Sequence, residues 1–292
     1  MIKRLFGSKK NLTTSVLGIN QRNVELIYKY NQRKHYKYAD DKSETKRILE
    51  SNGLSCPKTY ALISNIGDIE STWAELDQHS SLVIKPAKGS GGGGILVLKK
   101  VNNEWFQGSK EIPQTTIFFH IANILFGVFS FGDTDKCIIE ECITPHPFFG
   151  QLYPKGVPDI RIITVERKPV MAMLRLPTSA SDGKANLHQG GLGVGIDMET
   201  GILTDTYDGS KFITHHPDSH NLITGMKIPD WDEIMKLSTK VAEVFPLNYM
   251  GIDIVIDKKM GPSILEINVR PGLGIQMANK KGLKSEIIRK LK

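Results

Sequence analysis

The chain has 292 residues, 40% of them hydrophobic, which is enough to bury a sizeable core in one large or two modest domains. With 24% charged and 8% aromatic residues and no fixed-period repeat, disordered and solenoid classes are excluded. Thirty-eight Lys and Arg against 31 Asp and Glu leave a net charge of +7, which favours anionic partners, with the excess densest at Lys3, Arg4, Lys9 and Lys10 and after Lys280.

Residues 1–40 form a short basic segment with Tyr28, Tyr30, Tyr36 and Tyr38 among Lys and Arg, and only a weak helical pattern around Val24 to Tyr28. Asp41 stands three residues before Glu44, and Gly53 and Pro57 follow Ile48 and Leu49; this predicts a capped helix over residues 42–52. Leu82 to Lys85 and Ile95 to Leu98 read as strands joined by a glycine-rich loop. Ile117 to Phe131 is the most apolar stretch; it is too short for the ~20 residues of a membrane span and reads as a core helix.

Cys137 to Ile143 is a β-branched run. Asp159 to Glu166 and Val170 to Leu176 read as a hairpin about a Lys168-Pro169 turn, and Leu192 to Asp197 as a further strand. Asp230 and Glu233 form a second capping pattern before a stripe of Ile234, Leu237, Val241, Val244 and Phe245. Gly251 to Asp257 and Ser263 to Val269 form a hairpin about Lys258 to Gly261, and a lysine-rich helix closes the chain. Strand clusters with interspersed helices predict an α+β fold. Cys56, Cys137 and Cys142 have no metal-ligand spacing and fit buried thiols in a reducing compartment, the cytoplasm.

Three segments carry chemistry. A glycine run between two strands brings backbone amides close to an anion, with Lys85 beside it and Lys88 or Ser90 adding charge or a donor; a flexible hairpin tip is the alternative. Glu266 and Asn268 share one strand face, and a four-residue turn at 258–261 places Asp253 opposite Glu266, so three oxygen donors suited to magnesium converge. Arg161 follows Asp159 at strand spacing, with Arg175 on the partner strand; each arginine is either a structural ion pair or an anion ligand. Asn186 to Gly191, with His188, is either a plain turn or a phosphate-facing loop, and His215 and His216 read as solvated.

The chain resembles the ATP-grasp superfamily, in particular its alpha-L-glutamate-ligase-like and sugar-transfer-associated branch. The resemblance rests on Leu17-Gly18-Ile19-Asn20, Arg22-Asn23, Asp40-Asp41-Lys42, Ile84-Lys85-Pro86 with the glycine loop, and Ile139-Glu140-Glu141. Asp159-Ile160-Arg161, Asn186 to Gly191, Gly251-Ile252-Asp253, Leu265 to Asn268 and Arg270-Pro271-Gly272 complete it. It implies an ATP-grasp fold of two α+β subdomains, residues 41–143 and 144–292, with nucleotide between them and a reduced N-terminal segment. It implies that Lys42, Lys85, Lys88, Gly89, Ser90, Gly91 and Gly92 bind ATP phosphates, that Glu140, Glu141, Cys142 and Ile143 read adenine and that Asp159 takes ribose. Asp253, Glu266 and Asn268 are then the ligands of one or two magnesium ions, and Arg161, Arg175, Asn186, His188 and Arg270 stabilise the transferred phosphoryl and acyl phosphate.

The implied activity is ADP-forming ligation of a small-molecule or peptide carboxylate to an amine. A kinase on the same nucleotide site and a nucleotide-binding module without turnover are the alternatives. Neither a membrane span nor a nucleic-acid partner is expected; a protein partner or second copy of the chain is a further source of acceptor contacts.

Overall fold

The computed structural model of the protein describes residues 15–89 and 91–292. Its described residues fall into two compact units: residues 40–47 with 56–143, and those up to Ala39 with 48–55 and 144–292. The smaller unit begins in helix α1 (Lys42–Ser51), whose first turn is capped as expected, because Asp41 Oδ1 accepts from the backbone of Ser43 at 2.9 Å and Glu44 at 3.4 Å.

In this unit β1 (Thr59–Ile63), β2 (Ser81–Pro86), β3 (Leu96–Val101), β4 (Glu104–Gln107), β5 (Lys110–Glu111) and β6 (Cys137–Glu140) form one antiparallel sheet in the order β1-β6-β2-β3-β4-β5. Helices α2 (Ile69–Ala74) and α3 (Gln114–Leu125) bury Trp73, Ile117, Ile121 and Ile124 against Leu82, Ile84, Leu98 and Ile139 of the sheet. The apolar helix expected to reach Phe131 stops at Leu125. Gly127 takes φ +77°, its amide bonds Ile124 O at 2.9 Å, and Val128 N bonds Asn123 O at 3.0 Å, the paired closure that ends a helix at a left-handed glycine.

The larger unit holds a seven-stranded antiparallel sheet in the order β11-β10-β9-β8-β7-β12-β13. Its strands are β7 (Asp159–Val165), β8 (Lys168–Leu176), β9 (Leu192–Ile196), β10 (Leu203–Tyr207), β11 (Phe212–Ile213), β12 (Tyr249–Asp257) and β13 (Gly261–Asn268). Every residue of β7 and β12 is buried, so the middle of the sheet is covered on both faces. Helix α4 (Pro147–Leu152) precedes the sheet, α5 (Trp231–Val244) packs on β7, β8 and β13, α6 (Gly274–Ala278) on β8 to β10, and α7 (Leu283–Leu291) on β8.

Two local expectations are corrected here. The β7–β8 turn is Glu166-Arg167, both at positive φ as a two-residue hairpin of right-twisted strands requires; Pro169 lies inside β8, where a bulge removes the need for its amide. Asp230 precedes α5 but adopts φ +54° and its side chain caps nothing, so that capping pattern does not form. Among the stripe residues Ile234, Val241 and Phe245 are buried, while Leu237 and Val244 are half-buried.

Residues 15–39 belong to the larger unit and pack in it through apolar and amide side chains, while Lys29, Arg33, Lys34 and Lys37 are exposed. The Asn31 side chain donates to Tyr249 O at 2.6 Å and accepts from Tyr249 N at 3.0 Å, substituting for a neighbouring strand. Gln276 of α6 likewise accepts from Leu17 N at 2.9 Å and donates to Leu17 O at 3.0 Å. His216, expected to be solvated, is buried: it stacks on Tyr153 with ring centroids 4.4 Å apart, and its Nε2 lies 2.9 Å from Pro177 O. No helix among the described residues is long and apolar enough to cross a membrane.

Candidate active site

In the smaller unit the glycine loop joins β2 to β3. Gly91, Gly92 and Gly94 all take positive φ, a conformation that side chains disfavour. The loop is held at both ends. Lys42 Nζ donates to Gly89 O at 2.5 Å, Lys88 N donates to both carboxylate oxygens of buried Asp135 at 3.0 and 3.1 Å, and His120 Nε2 lies 2.9 Å from Gly94 O. The Lys88 ammonium donates to Thr134 O at 3.1 Å. Ser90 lies outside the described residues.

Beside the loop sits a buried charge cluster. Lys85 and Glu140 project from adjacent strands, Val83 being the partner of Glu140 in the β2–β6 register, and Lys46 reaches them from α1, one turn after Lys42. One oxygen of Glu140 pairs with Lys85; the other lies 2.8 Å from Lys46 Nζ, which also donates to Pro57 O. Burial raises the Glu140 pKa, but two ammonium groups outweigh it and hold the carboxyl below its ordinary value. Lys85 is drawn down, because burial and the positive charge of Lys46 outweigh its single carboxylate partner. Glu141, Cys142 and Ile143 follow the end of β6; Glu141 N donates to Lys58 O at 2.9 Å, and the Cys142 thiol lies 3.8 Å from Ile143 O.

In the larger unit, strand register assembles a second cluster. Arg161, Asp253 and Glu266 are direct partners across β7, β12 and β13, and Asp159 is the direct partner of Arg175 across β7 and β8. Asp159 precedes Arg161 by two, and Asn268 follows Glu266 by two, so all six side chains share one face of the sheet. Arg161 Nε and Nη2 donate to the two oxygens of Asp253 at 2.8 and 2.7 Å. Arg175 grips Asp159 at 2.5 and 2.7 Å and its Nη2 also reaches Asp253 at 2.7 Å; Asn268 Nδ2 adds a bond to Asp253 at 3.1 Å.

The electrostatics follow from that geometry. Asp253 is 1% exposed, and burial raises its pKa, yet Arg161 and Arg175 hold it down to about 2. For Asp159, burial and the nearby charge of Asp253 prevail over Arg175, and its pKa rises. Both carboxylate oxygens of Asp159, the side chain to which the family resemblance assigns ribose, are engaged by Arg175.

The sugar-transfer associated ATP-grasp family matches residues 21–291. The chain belongs to this family. It is similar to tetrahydromethanopterin:alpha-L-glutamate ligase of Methanocaldococcus jannaschii, at 25% identity over 258 residues, covering 87% of this chain and 66% of that protein. Phosphoribosylamine–glycine ligase of Thermotoga maritima matches in structure with a TM-score of 0.52 at 13% identity, over 83% of this chain and 50% of its own. The ATP-grasp ligase PsnB complexed with minimal precursor matches with a TM-score of 0.47 at 14% identity, over 90% of this chain and 63% of its own. The chain therefore spans less than two thirds of the length of these relatives. An α+β ATP-grasp fold accords with the two antiparallel sheets.

In this ATP-grasp chain the remaining site residues are dispersed. Asn186 caps a single helical turn, accepting from His188 N at 3.1 Å; His188 is exposed, and no bond joins either side chain to the Arg175 cluster. Arg270 is exposed, with its guanidinium 5.1 Å from the ring centre of Tyr36. Lys46 and Arg22 are buried cations with no role assigned from sequence; the signal for Lys46 is its position four residues after Lys42.

No cluster of three or more His, Cys, Asp or Glu side chains suited to a metal occurs among the described residues, so a magnesium site here depends on Asn268 and on phosphate oxygens. The residues fit that requirement. Their donors are all oxygen, and Asn268 Oδ1 accepts no hydrogen bond among the described residues; both oxygens of Asp253 are engaged by Arg161, Arg175 and Asn268, so a metal there would share them.

Proposed function

We propose that this chain is an ADP-forming carboxylate–amine ligase that uses magnesium-bound ATP. The observation that carries this reading is the row Arg161–Asp253–Glu266 with Asn268 and Arg175 on one sheet face, in a chain of the ATP-grasp family. Lys42, Lys85 and the backbone of Gly89 to Gly92 bind the ATP phosphates; Lys46 and Glu140 orient Lys85. The Glu140 carboxylate is occupied by lysines, so adenine is read by the backbone of Glu141 to Ile143 and the Glu141 side chain.

Asp253, Glu266 and Asn268 hold magnesium, which when bound neutralises phosphate charge and orients the γ-phosphoryl group. A carboxylate oxygen of the acid attacks the γ-phosphorus, the bond to the β-bridging oxygen breaks, and ADP leaves with that electron pair. Arg161 and Arg175 stabilise the charge on the transferring group, and their pairing with Asp253 and Asp159 fixes their planes beforehand. An amine then attacks the acyl carbon, losing a proton and expelling inorganic phosphate. Such a reaction runs on positioning and charge stabilisation and needs no protein nucleophile.

The experiment is incubation with ATP, magnesium, an amine pool and candidate acids, read by ADP release and by mass spectrometry of the products. ADP release with an amide product is expected, and Lys85→Ala abolishes it. ADP release that needs the acid but never yields an amide would replace the ligase with a kinase. Absence of nucleotide binding would overturn both.

A further inference from the structure

Arg22 is 8% exposed, yet every hydrogen bond it makes among the described residues ends on a neutral oxygen. Its Nε and Nη2 donate to Asn23 Oδ1 at 3.2 and 2.8 Å, and its Nη1 to Pro271 O at 3.0 Å and Arg270 O at 3.5 Å. A buried guanidinium is costly and is ordinarily offset by an acid. Here the charge is left as a positive source directly beneath residues 270–272.

The same loop is pressed onto the sheet at Gly251, where a Cβ would lie 2.7 Å from Pro271 Cβ, and it reaches over Arg161 at Gly272. Arg161 binds Asp253 through Nε and Nη2; among the described residues its Nη1 makes no hydrogen bond, and it lies 3.8 Å from where a Cβ on Gly272 would stand. Arg270, of the same loop, has its guanidinium 5.1 Å from the ring centre of Tyr36. Two guanidiniums, Arg22 from the N-terminal segment and Arg161 from β7, therefore flank residues 270–272, and the loop carries a third in Arg270.

We propose that this loop, carried by Arg22, binds an anionic group of the acid substrate other than the carboxylate that is activated, so that the preferred acids are short dianions bearing a second carboxylate or a phosphate. The inference rests on the ligase reading for the position of the reacting carboxylate, at the Asp253–Glu266–Asn268 face. Arg270 is two residues beyond Asn268, in the bend that follows the end of β13. A second anion at the loop is thus one short substrate away from the first. Arg22 is a positioning residue and charge source, and it touches the loop rather than the substrate.

The test is calorimetric binding to the full chain in the presence of magnesium and ADP, using matched probes: glutarate against its monoamide, and 3-phosphoglycerate against glycerate, where dianion and monoanion count anionic groups and the phosphate itself carries about −1.5 to −2. Wild type is expected to bind at least one dianion about tenfold more tightly than its matched monoanion, the size of one charge-assisted contact. The member of the pair that carries the preference tells a carboxylate site from a phosphate site.

In Arg22→Met the ratio falls to within about twofold, and Arg22→Lys restores part of it, because lysine keeps the charge but reaches one carbonyl rather than two. Should Arg22→Met fail to fold, Arg22→Lys against wild type and Tyr36→Leu against Tyr36→Phe keep the test alive: the ring is required and the hydroxyl is not. Equal binding of dianion and monoanion by wild type, no binding of either dianion, or a preference unchanged in the Arg22 variants overturns the inference. Binding needs no turnover, so dianion preference without ADP release from any acid would sink the ligase reading and leave this site standing.

Discussion

Glu140→Gln is the most direct test of the cluster beside the glycine loop. It removes the one negative charge that Lys46 and Lys85 share, both of whose side chains are under a tenth exposed, and leaves two ammonium groups buried beside a neutral amide. Removing one partner of a buried ion pair costs about 3–5 kcal/mol. The lower end corresponds to a fall of roughly 6–12 °C in Tm for a domain of a few hundred residues.

Calorimetry or circular dichroism at neutral pH measures the fall, and Lys46→Met alone and with Glu140→Gln completes a double-mutant cycle whose coupling is expected at about 1–3 kcal/mol. The pH arm has a definite sign. The folded pKa of Glu140 lies below its ordinary 4.5, so the contribution is fully present above that value and fades as pH drops through the lower folded pKa. The stability gap between wild type and Glu140→Gln should therefore narrow below about pH 4.5. A Glu140→Gln protein within about 1 kcal/mol of wild type at pH 7, with no coupling to Lys46, would refute the reasoning.

Other consequences are as concrete. Glu266→Gln should remove the magnesium-dependent part of the thermal shift produced by ATP, while lowering the Tm of the unliganded protein less than Asp253→Asn, which leaves two arginines short of their acid. Gly127→Ala places a Cβ against the backbone carbonyl of Asp133 at φ +77° and should cost about 1–3 kcal/mol by denaturant midpoint. Gly53→Ala, at φ +63° with nothing within 4 Å, should cost about 1 kcal/mol and isolates the backbone term. Tyr249→Phe should be neutral or stabilising by up to about 1 kcal/mol by denaturant midpoint, because the buried hydroxyl has no hydrogen-bond partner among the described residues; a loss above about 1 kcal/mol would contradict this.

Local chemistry made much of the architecture legible. The Asp41 cap, the β2–glycine loop–β3 unit and the β7–β8 pair are all written in short-range patterns, and each formed within a few residues of its expected place. What could not be read were pairings that depend on long-range register. Nothing in the sequence joins Lys46 of a helix to Glu140 of a strand ninety-odd positions away, and Arg22 was one arginine in a basic segment until Pro271 and Gly251 gave it a place. His216 next to Pro217 looked like any polar loop; the stacking that buries it is on Tyr153, about sixty positions earlier in the chain. Residues read as one functional group also separated, for a similar reason: Asn186 and His188 are held by their own helical turn, whose local bonds fix them independently of the arginine face.

The hairpin that carries Asp253 and Glu266 shows how a right pairing can rest on a different geometry. A four-residue turn at 258–261 was the sequence argument for placing these acids opposite each other. The turn is one residue shorter: Asp257 pairs with Gly261, and the Asp257 carboxylate accepts from Lys259 N at 2.7 Å, Met260 N at 3.0 Å and Thr144 N at 2.7 Å, which fixes the tight loop. Continued along the strands, that register would set Asp253 against Leu265 and turn Glu266 to the other face. A bulge between Ile264 and Glu266 inserts the missing residue and returns Glu266 to Asp253. The turn answers to Asp257 and the bulge to the charged face, so the two departures cancel at the one place where a slipped strand would separate Glu266 and Asn268 from Asp253.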